Sequence, residues 1–271
     1  MRAPIGVFDS GLGGLTVVRA IRAALPDEDI VYLGDTARVP YGTRSPETVV
    51  RYAASCARAL LRHDVKLLVV ACNTVSAVAL PELASRFGIP VIGVIEAGAK
   101  AGAGISQGGR IGVLATAGTV ASGAYERAIH ALNPRLEVVA VPAPLFVPLA
   151  EEGWTEGAIP EGIADRYLGP LIEAQVDSII LGCTHYPLLR TTIERVLSRS
   201  AAPAQVVDSA EALAADLRLV LDEYSLRFSR RDRSGQLRVY VTDQPRSFRD
   251  VANRFLGASL GDFPVEAIDL E

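Results

Sequence analysis

Short unbroken apolar runs alternate along the chain with segments in which apolar residues recur every three to four positions. The runs read as strands buried on both faces, and the periodic segments as amphipathic helices. Strands are expected at residues 5–8, 30–33, 65–71, 90–94, 110–116, 136–141, 176–181, 205–207 and 237–241. Helices are expected at 15–25, 46–63, 75–87, 120–131, 160–175, 188–199, 210–221 and 247–256. Ser45-Pro46-Glu47 supplies a cap and a first-turn proline for the second helix, and Asp208-Ser209 caps the seventh. Such alternation predicts an α/β fold of mostly parallel sheets flanked by helices, with reactive groups beyond the carboxyl ends of the strands.

Two of these strands end alike. Val65–Ala71 runs into Cys72-Asn73-Thr74, and residues 176–181 run into Gly182-Cys183-Thr184-His185-Tyr186-Pro187; each elbow is followed by a helical pattern. Both the strand starts (176 − 65) and the cysteines (183 − 72) are 111 positions apart. Ile5-Gly6-Val7 returns as Ile111-Gly112-Val113, 106 positions on, which places Thr116 opposite Ser10. The repeats imply two pseudo-symmetric halves whose cleft is where Cys72 and Cys183 meet. A cysteine at a strand end is by default a small buried hydrophobe, yet Asn73-Thr74 and Thr184-His185 are costly to bury without partners. Helix N-termini bind carboxylates and lower thiol pKa values, so both cysteines are expected to be poised as thiolates.

Composition narrows the class. At 271 residues, 49% hydrophobic and 21% charged, the chain has the make-up of a globular protein with room for two domains. A net charge of −4 offers no general attraction to nucleic acid or anionic lipid. No apolar run approaches the roughly 20 residues of a membrane span, and the N-terminus shows no secretory pattern, so a cytoplasmic location is expected. Three widely spaced cysteines without a C-x-x-C pair point to free thiols, with neither a disulfide framework nor a metal cage. Cys56 lies among alanines in a helical pattern and reads as structural; His63, at the end of that helix, is expected to face its terminal carbonyls. Residues 227–238, rich in arginine, read as a solvated turn.

Other chemistries fit less well. Asp9-Ser10-Gly11-Leu12-Gly13-Gly14 lies between strand and helix like a dinucleotide loop, and Asp35 is spaced like a ribose-binding acid. However, Thr16 stands where the third fingerprint glycine belongs, and Asp9 would repel a pyrophosphate. A loop admitting a small ligand close to the backbone fits better. Pyridoxal chemistry needs a Schiff-base lysine, and neither Lys66 nor Lys100 is well placed. A cysteine hydrolase using His185 as base leaves the second elbow unexplained, and a non-catalytic amino-acid-binding module is the third class. Two thiols on opposite faces of one carbon could remove a proton and return it on the far side, inverting a stereocentre.

Asp9-Ser10-Gly11-Leu12-Gly13-Gly14, Pro40-Tyr41-Gly42, Ala71-Cys72-Asn73-Thr74 and Gly182-Cys183-Thr184-His185-Tyr186-Pro187 together closely resemble glutamate racemase, in that family's order and over nearly the whole chain. The resemblance implies two α/β domains enclosing glutamate, 1–96 plus 207–271 and 97–206, and a cofactor-free, metal-free exchange of the α-proton by Cys72 and Cys183. It implies Asp9 as helper of the first cysteine, and His185 and Glu151 on the opposite face. Ser10, Asn73, Thr74, Thr116, Thr119 and Thr184 would hold the amino-acid head, and Pro40-Tyr41-Gly42 the side-chain carboxylate. His185 after Cys-Thr favours glutamate over aspartate, for which relatives usually carry glutamate there. Ala143-Pro144 departs from the Cys-Pro common in the family, at a non-catalytic position. The N-terminal extension of relatives activated by a cell-wall precursor is not seen, so no such requirement is expected. The resemblance further implies a role in supplying D-glutamate for peptidoglycan and homodimers as a common assembly. Closing the cleft must exclude water, and a hinge in the small-residue run near residues 98–104 with the crossing near Pro203 is expected to allow it.

Overall fold

The computed structural model describes residues 3–200, 204–228, 234–243, 248–257 and 263–270. The chain opens with β1 (Ile5–Asp9), α1 (Leu15–Ala24), β2 (Ile30–Gly34), α2 (Pro46–Leu61), β3 (Leu67–Val70), α3 (Asn73–Arg86), β4 (Val91–Gly93) and α4 (Val94–Ile105). It continues through β5 (Arg110–Ala115), α5 (Ala117–Ser122), α6 (Ala124–Leu132), β6 (Glu137–Pro142), α7 (Phe146–Glu152), α8 (Ala158–Glu173), β7 (Ser178–Gly182), α9 (Arg190–Ser198) and β8 (Gln205–Asp208). It closes with α10 (Ser209–Glu223), β9 (Leu237–Val241), α11 (Phe248–Leu256) and β10 (Val265–Ala267). Short 3₁₀ turns occur at Tyr41–Thr43 and Tyr186–Leu189.

Two wholly parallel sheets result, one ordered β10-β9-β2-β1-β3-β4 and the other β6-β5-β7-β8. The β2-β1-β3-β4 part of the first has the order of the second. The match extends to register: Ile5 pairs with Leu67 and Ile111 with Ser178, and the sequence offsets carry one pair onto the other (5 + 106 = 111, 67 + 111 = 178). Parallel strands must be covered on both faces, which is why β1, β2, β3 and β7 are buried along their whole length. The first half buries α1, α10 and α11 on one face of its sheet and α2 and α3 on the other.

Residues 98–104, expected as a hinge, lie within α4, a continuous helix. Val94 and Ala97 join the core under the first sheet, while Ile95 and Ala99 pack on β5 and β7 of the second. Gly98 and Gly102 are there for proximity. A Cβ on Gly102 would stand 2.7 Å from Ile180 Cδ1 and 2.8 Å from Cγ1, and one on Gly98 3.1 Å from Ser209 Cβ. Small residues let the helix backbone lie close against its neighbours. Gly102→Ala should therefore destabilise the protein by about 1–2 kcal/mol, overpacking outweighing the helix-propensity gain, and a lowered urea midpoint measures it. The other hinge expected, at Pro203, lies outside the described residues.

Two smaller expectations hold in part. His63 lies beyond the end of α2, where its amide donates to the Leu60 carbonyl at 2.9 Å, but its ring faces Tyr240, centroids 4.7 Å apart. In the arginine-rich segment, 229–233 are outside the described residues; Arg227, Ser234, Gln236 and Arg238 are exposed, in keeping with a solvated turn, while Gly235 is packed: its amide donates to Pro26 O at 2.7 Å and a Cβ would strike the Glu28 carbonyl. Glu28 is itself buried in an ion pair with Lys66, at 2.5 Å. Among the described residues no helix is long and apolar enough to cross a membrane.

Candidate active site

The carboxyl ends of β1, β3, β5 and β7 converge from the two sheets on one cavity of about 300 Å³. Ser10, Pro40, Tyr41, Gly42, Cys72, Asn73 and Thr74 line it from the first half. Thr116, Glu151, Cys183, Thr184 and His185 line it from the second. Val39, Pro144, Val147 and Pro148 make much of the remaining wall apolar. The two cysteines thus open onto one space.

Two residues expected at the site stand behind its wall. Asp9, at the end of β1, is 1% exposed and accepts a hydrogen bond from Gly11 N at 3.0 Å. Its Oδ1 and Asn73 Nδ2 are the buried side-chain polar atoms left without a partner among the described residues. Burial raises the Asp9 pKa, opposed by the charge of His185 and by the amides of Gly14, Gly11 and Ser10. Thr119 lies in α5, where its hydroxyl bonds Thr116 at 3.0 Å and Thr74 at 3.3 Å. Thr74 also meets Thr116 at 3.1 Å, so three hydroxyls tie the halves beside the cavity. Asn73 Oδ1 takes the Tyr125 hydroxyl of α6 at 2.7 Å, which fixes the amide and leaves its donor end uncommitted.

The thiols differ in setting. Cys72 is the N-cap of α3, and its Sγ donates to Ser10 Oγ at 3.3 Å. Burial pushes this thiol up to about 12, reinforced by the charges of Asp9 and Cys183 and only partly offset by Ser10 and the Val75 amide. This corrects the expectation that the helix N-terminus would make Cys72 a resting thiolate: desolvation is the larger effect. Cys183 precedes a 3₁₀ turn, with its Sγ 3.8 Å from His185 Nδ1. The imidazole bridges onward, Nε2 lying 3.0 Å from Glu151 Oε1. Burial alone would lower the His185 pKa, but the contacts with Cys183 and Glu151 outweigh it and hold the ring toward its cationic form.

Several residues around the cavity have roles that their sequence context did not reveal. Gly13 is one: a Cβ there would fall 2.3 Å from Thr184 Oγ1 and 2.5 Å from His185 Nδ1 and Cε1. Thr16 Oγ1 bonds Thr184 O at 2.9 Å, so the first half's glycine loop seats the second half's reactive turn. The paired glycines were the available signal, read as room for a ligand.

Asp35 is fully buried and accepts from Arg38 Nε at 2.6 Å, Thr242 Oγ1 at 2.9 Å and the Tyr41 hydroxyl. It anchors the 39–43 loop that lines the cavity, which leaves it no part in binding a ribose. Asp35→Ala should cost about 3–5 kcal/mol in chemical denaturation, since Arg38 and the Tyr41 hydroxyl lose their shared acceptor. Among the described residues no group of three or more His, Cys, Asp or Glu is arranged to hold a metal ion.

Known proteins match this arrangement. A family model described as Asp/Glu/Hydantoin racemase matches residues 7–217. A glutamate racemase of Geobacter metallireducens is 49% identical over 267 residues, covering 98% of this chain and 97% of the relative. A crystal structure of glutamate racemase from Francisella tularensis in complex with D-glutamate superposes with a TM-score of 0.91 at 39% identity, covering 100% of this chain and 98% of the other. The RacE1 isoform of glutamate racemase from Bacillus anthracis gives 0.92 at 37% identity, covering 99% and 98%. With matches of this identity over nearly its full length, the chain belongs to the glutamate racemase family.

Proposed function

We propose that the chain interconverts L- and D-glutamate by passing the α-proton between Cys72 and Cys183, with no metal or cofactor. The observation that carries this reading is that the two thiols, delivered by equivalent strands of two pseudo-symmetric sheets, line one cavity. In one direction Cys183, beside cationic His185, removes the α-proton as a thiolate. The C–H bond breaks, an S–H bond forms, and the Cys72 thiol gives its proton to the opposite face. The enzyme is left with the proton on the other sulfur, ready for the other enantiomer.

An α-proton beside a carboxylate is weakly acidic, so the developing charge needs fixed donors and little water. Asn73 Nδ2, uncommitted and aimed by Tyr125, is a donor for the α-carboxylate. Thr74, Thr116 and Thr184 lie around the same space, and Val147, Pro144 and Pro148 limit its water. The substrate ammonium lowers the cost of ionising the buried Cys72 thiol when that residue must act as base. Asp9 supports the Cys72 side, and Thr119 holds Thr74 and Thr116 in place. The 39–43 loop, braced by Asp35, takes the side-chain carboxylate.

The same reading divides the chain into 1–96 plus 207–271 and 97–206; the placing of α10 with α1 in one core supports it, while the second boundary falls inside β8, whose residues 205–208 all pair with β7. It places the protein in the cytoplasm, supplying D-glutamate for peptidoglycan, as a homodimer whose mass light scattering would give. Purified protein in chelator-treated buffer should bring the optical rotation of L-glutamate to zero without releasing ammonia. Unchanged rotation, or ammonia in proportion to glutamate lost, would refute it.

A further inference from the structure

The C-terminal helix α11 belongs to the first half, where Phe248, Ala252, Phe255 and Leu256 share a core with α1. Its far end reaches the other half. Phe255 packs against His185, ring centroids 4.9 Å apart and planes at 75°. One residue earlier, Arg254 Nη1 donates to the main-chain carbonyl of Glu151, in the last turn of α7. Gly153 ends that helix at φ +75°, and a Cβ on it would come 3.2 Å from Arg254 Cζ, so the guanidinium lies against the bare backbone of the cap. Ala150 of α7 joins the same core as Phe255.

We propose that Arg254, with Phe255, is a positioning residue for the reaction: it holds the last turn of α7 so that Glu151 reaches His185, and thereby sets the state of the Cys183 side of the cavity. This rests on the role given above to His185 and Glu151. Arg254 touches no reacting atom. The Glu151 side chain is 49% exposed and, among the described residues, hydrogen-bonds only to His185 Nε2, so the geometry depends on where its backbone is held. That hold comes from the opposite half of the molecule. The pair is complete only with the two halves together.

The groups that face His185 are Cys183, Glu151 and Asp9, with Arg254 on the far side of Glu151. Withdrawing the Glu151 carboxylate removes a charge that favours the imidazolium, so the His185 pKa falls and the alkaline limb of kcat/KM moves to lower pH. Profiles of wild type, R254A, R254K, E151Q and R254A/E151Q test this. R254A should lower kcat/KM by about tenfold to a hundredfold, shift the alkaline limb in the same direction as E151Q, and add little in the E151Q background. R254K, which keeps one donor, should recover much of the loss. A loss without a shift of the limb, or one that multiplies fully with E151Q, would mean that Arg254 only stabilises α11 and would overturn the assignment. An E151Q enzyme with the wild-type profile would instead overturn the role of Glu151 itself.

Discussion

Cys72→Ser and Cys183→Ser should each lower kcat for racemisation by about 10²–10⁴-fold in both directions, while glutamate should still bind and the thermal transition should stay within a few degrees. The magnitude is that of losing a positioned general acid or base, because a serine hydroxyl neither ionises near neutral pH nor gives up its proton as readily as a thiol. Both directions suffer because each sulfur is base for one enantiomer and acid for the other. The small structural effect follows from the isosteric change and from partners that remain: Ser10 Oγ for residue 72 and His185 Nδ1 for residue 183. A hydrolase built on one nucleophilic cysteine would lose activity in only one of the two variants. Turnover of each enantiomer, with calorimetric binding as the control, reads the difference.

Gly13→Ala is the second large effect, expected to cut kcat about 100-fold or more without touching any reacting group. The added methyl has to displace Thr184 Oγ1 and the His185 ring, both within 2.5 Å of it, and these are held by Thr16, Cys183 and Glu151. A shift of about 1 Å at a reactive turn is enough for a loss of that order. Stability should fall by only about 1–3 kcal/mol, the usual cost of overpacking. Gly104→Ala, where nothing lies within 4 Å, is the matched control and should leave activity near wild type. A Gly13→Ala enzyme with normal turnover would mean that the two halves do not set His185 against the glycine loop.

Both elbows and nine of the strands could be read from the chain because strands of a parallel sheet are buried on both faces and leave unbroken apolar runs; α4 and β10 had no such signal, and the helix expected at 120–131 is broken at Gly123 into α5 and α6. The repeats at 106 and 111 positions then foretold a shared register. What sequence spacing could not carry was depth. The N-cap position of Cys72 was legible, but the burial that outweighs it was not, so the thiol is raised where a lowered value was expected. The sequence of 98–104 suggests a hinge because it does not show what packs against Gly98 and Gly102; Ser209 and Ile180 come from distant segments. Asp35 looked like a ligand-binding acid until its partners Arg38, Tyr41 and Thr242 were in place, the last of them 207 residues away. Arg254 gave no signal at all, being one exposed arginine in an amphipathic helix whose target, the Glu151 carbonyl, lies 103 positions earlier.

The central claim is that two different sulfurs serve the two faces of one carbon, and the isotope pattern of the wild-type reaction in D₂O at low conversion tests it most directly. With L-glutamate at less than a tenth of equilibrium, the D-glutamate formed should carry deuterium at the α-carbon, because its new hydrogen comes from a solvent-exchanged thiol, while recovered L-glutamate remains protiated. D-glutamate as substrate should give the mirror result. Product that retains the original hydrogen, or deuterium entering recovered substrate as fast as product, would show one group acting on both faces and would contradict the account.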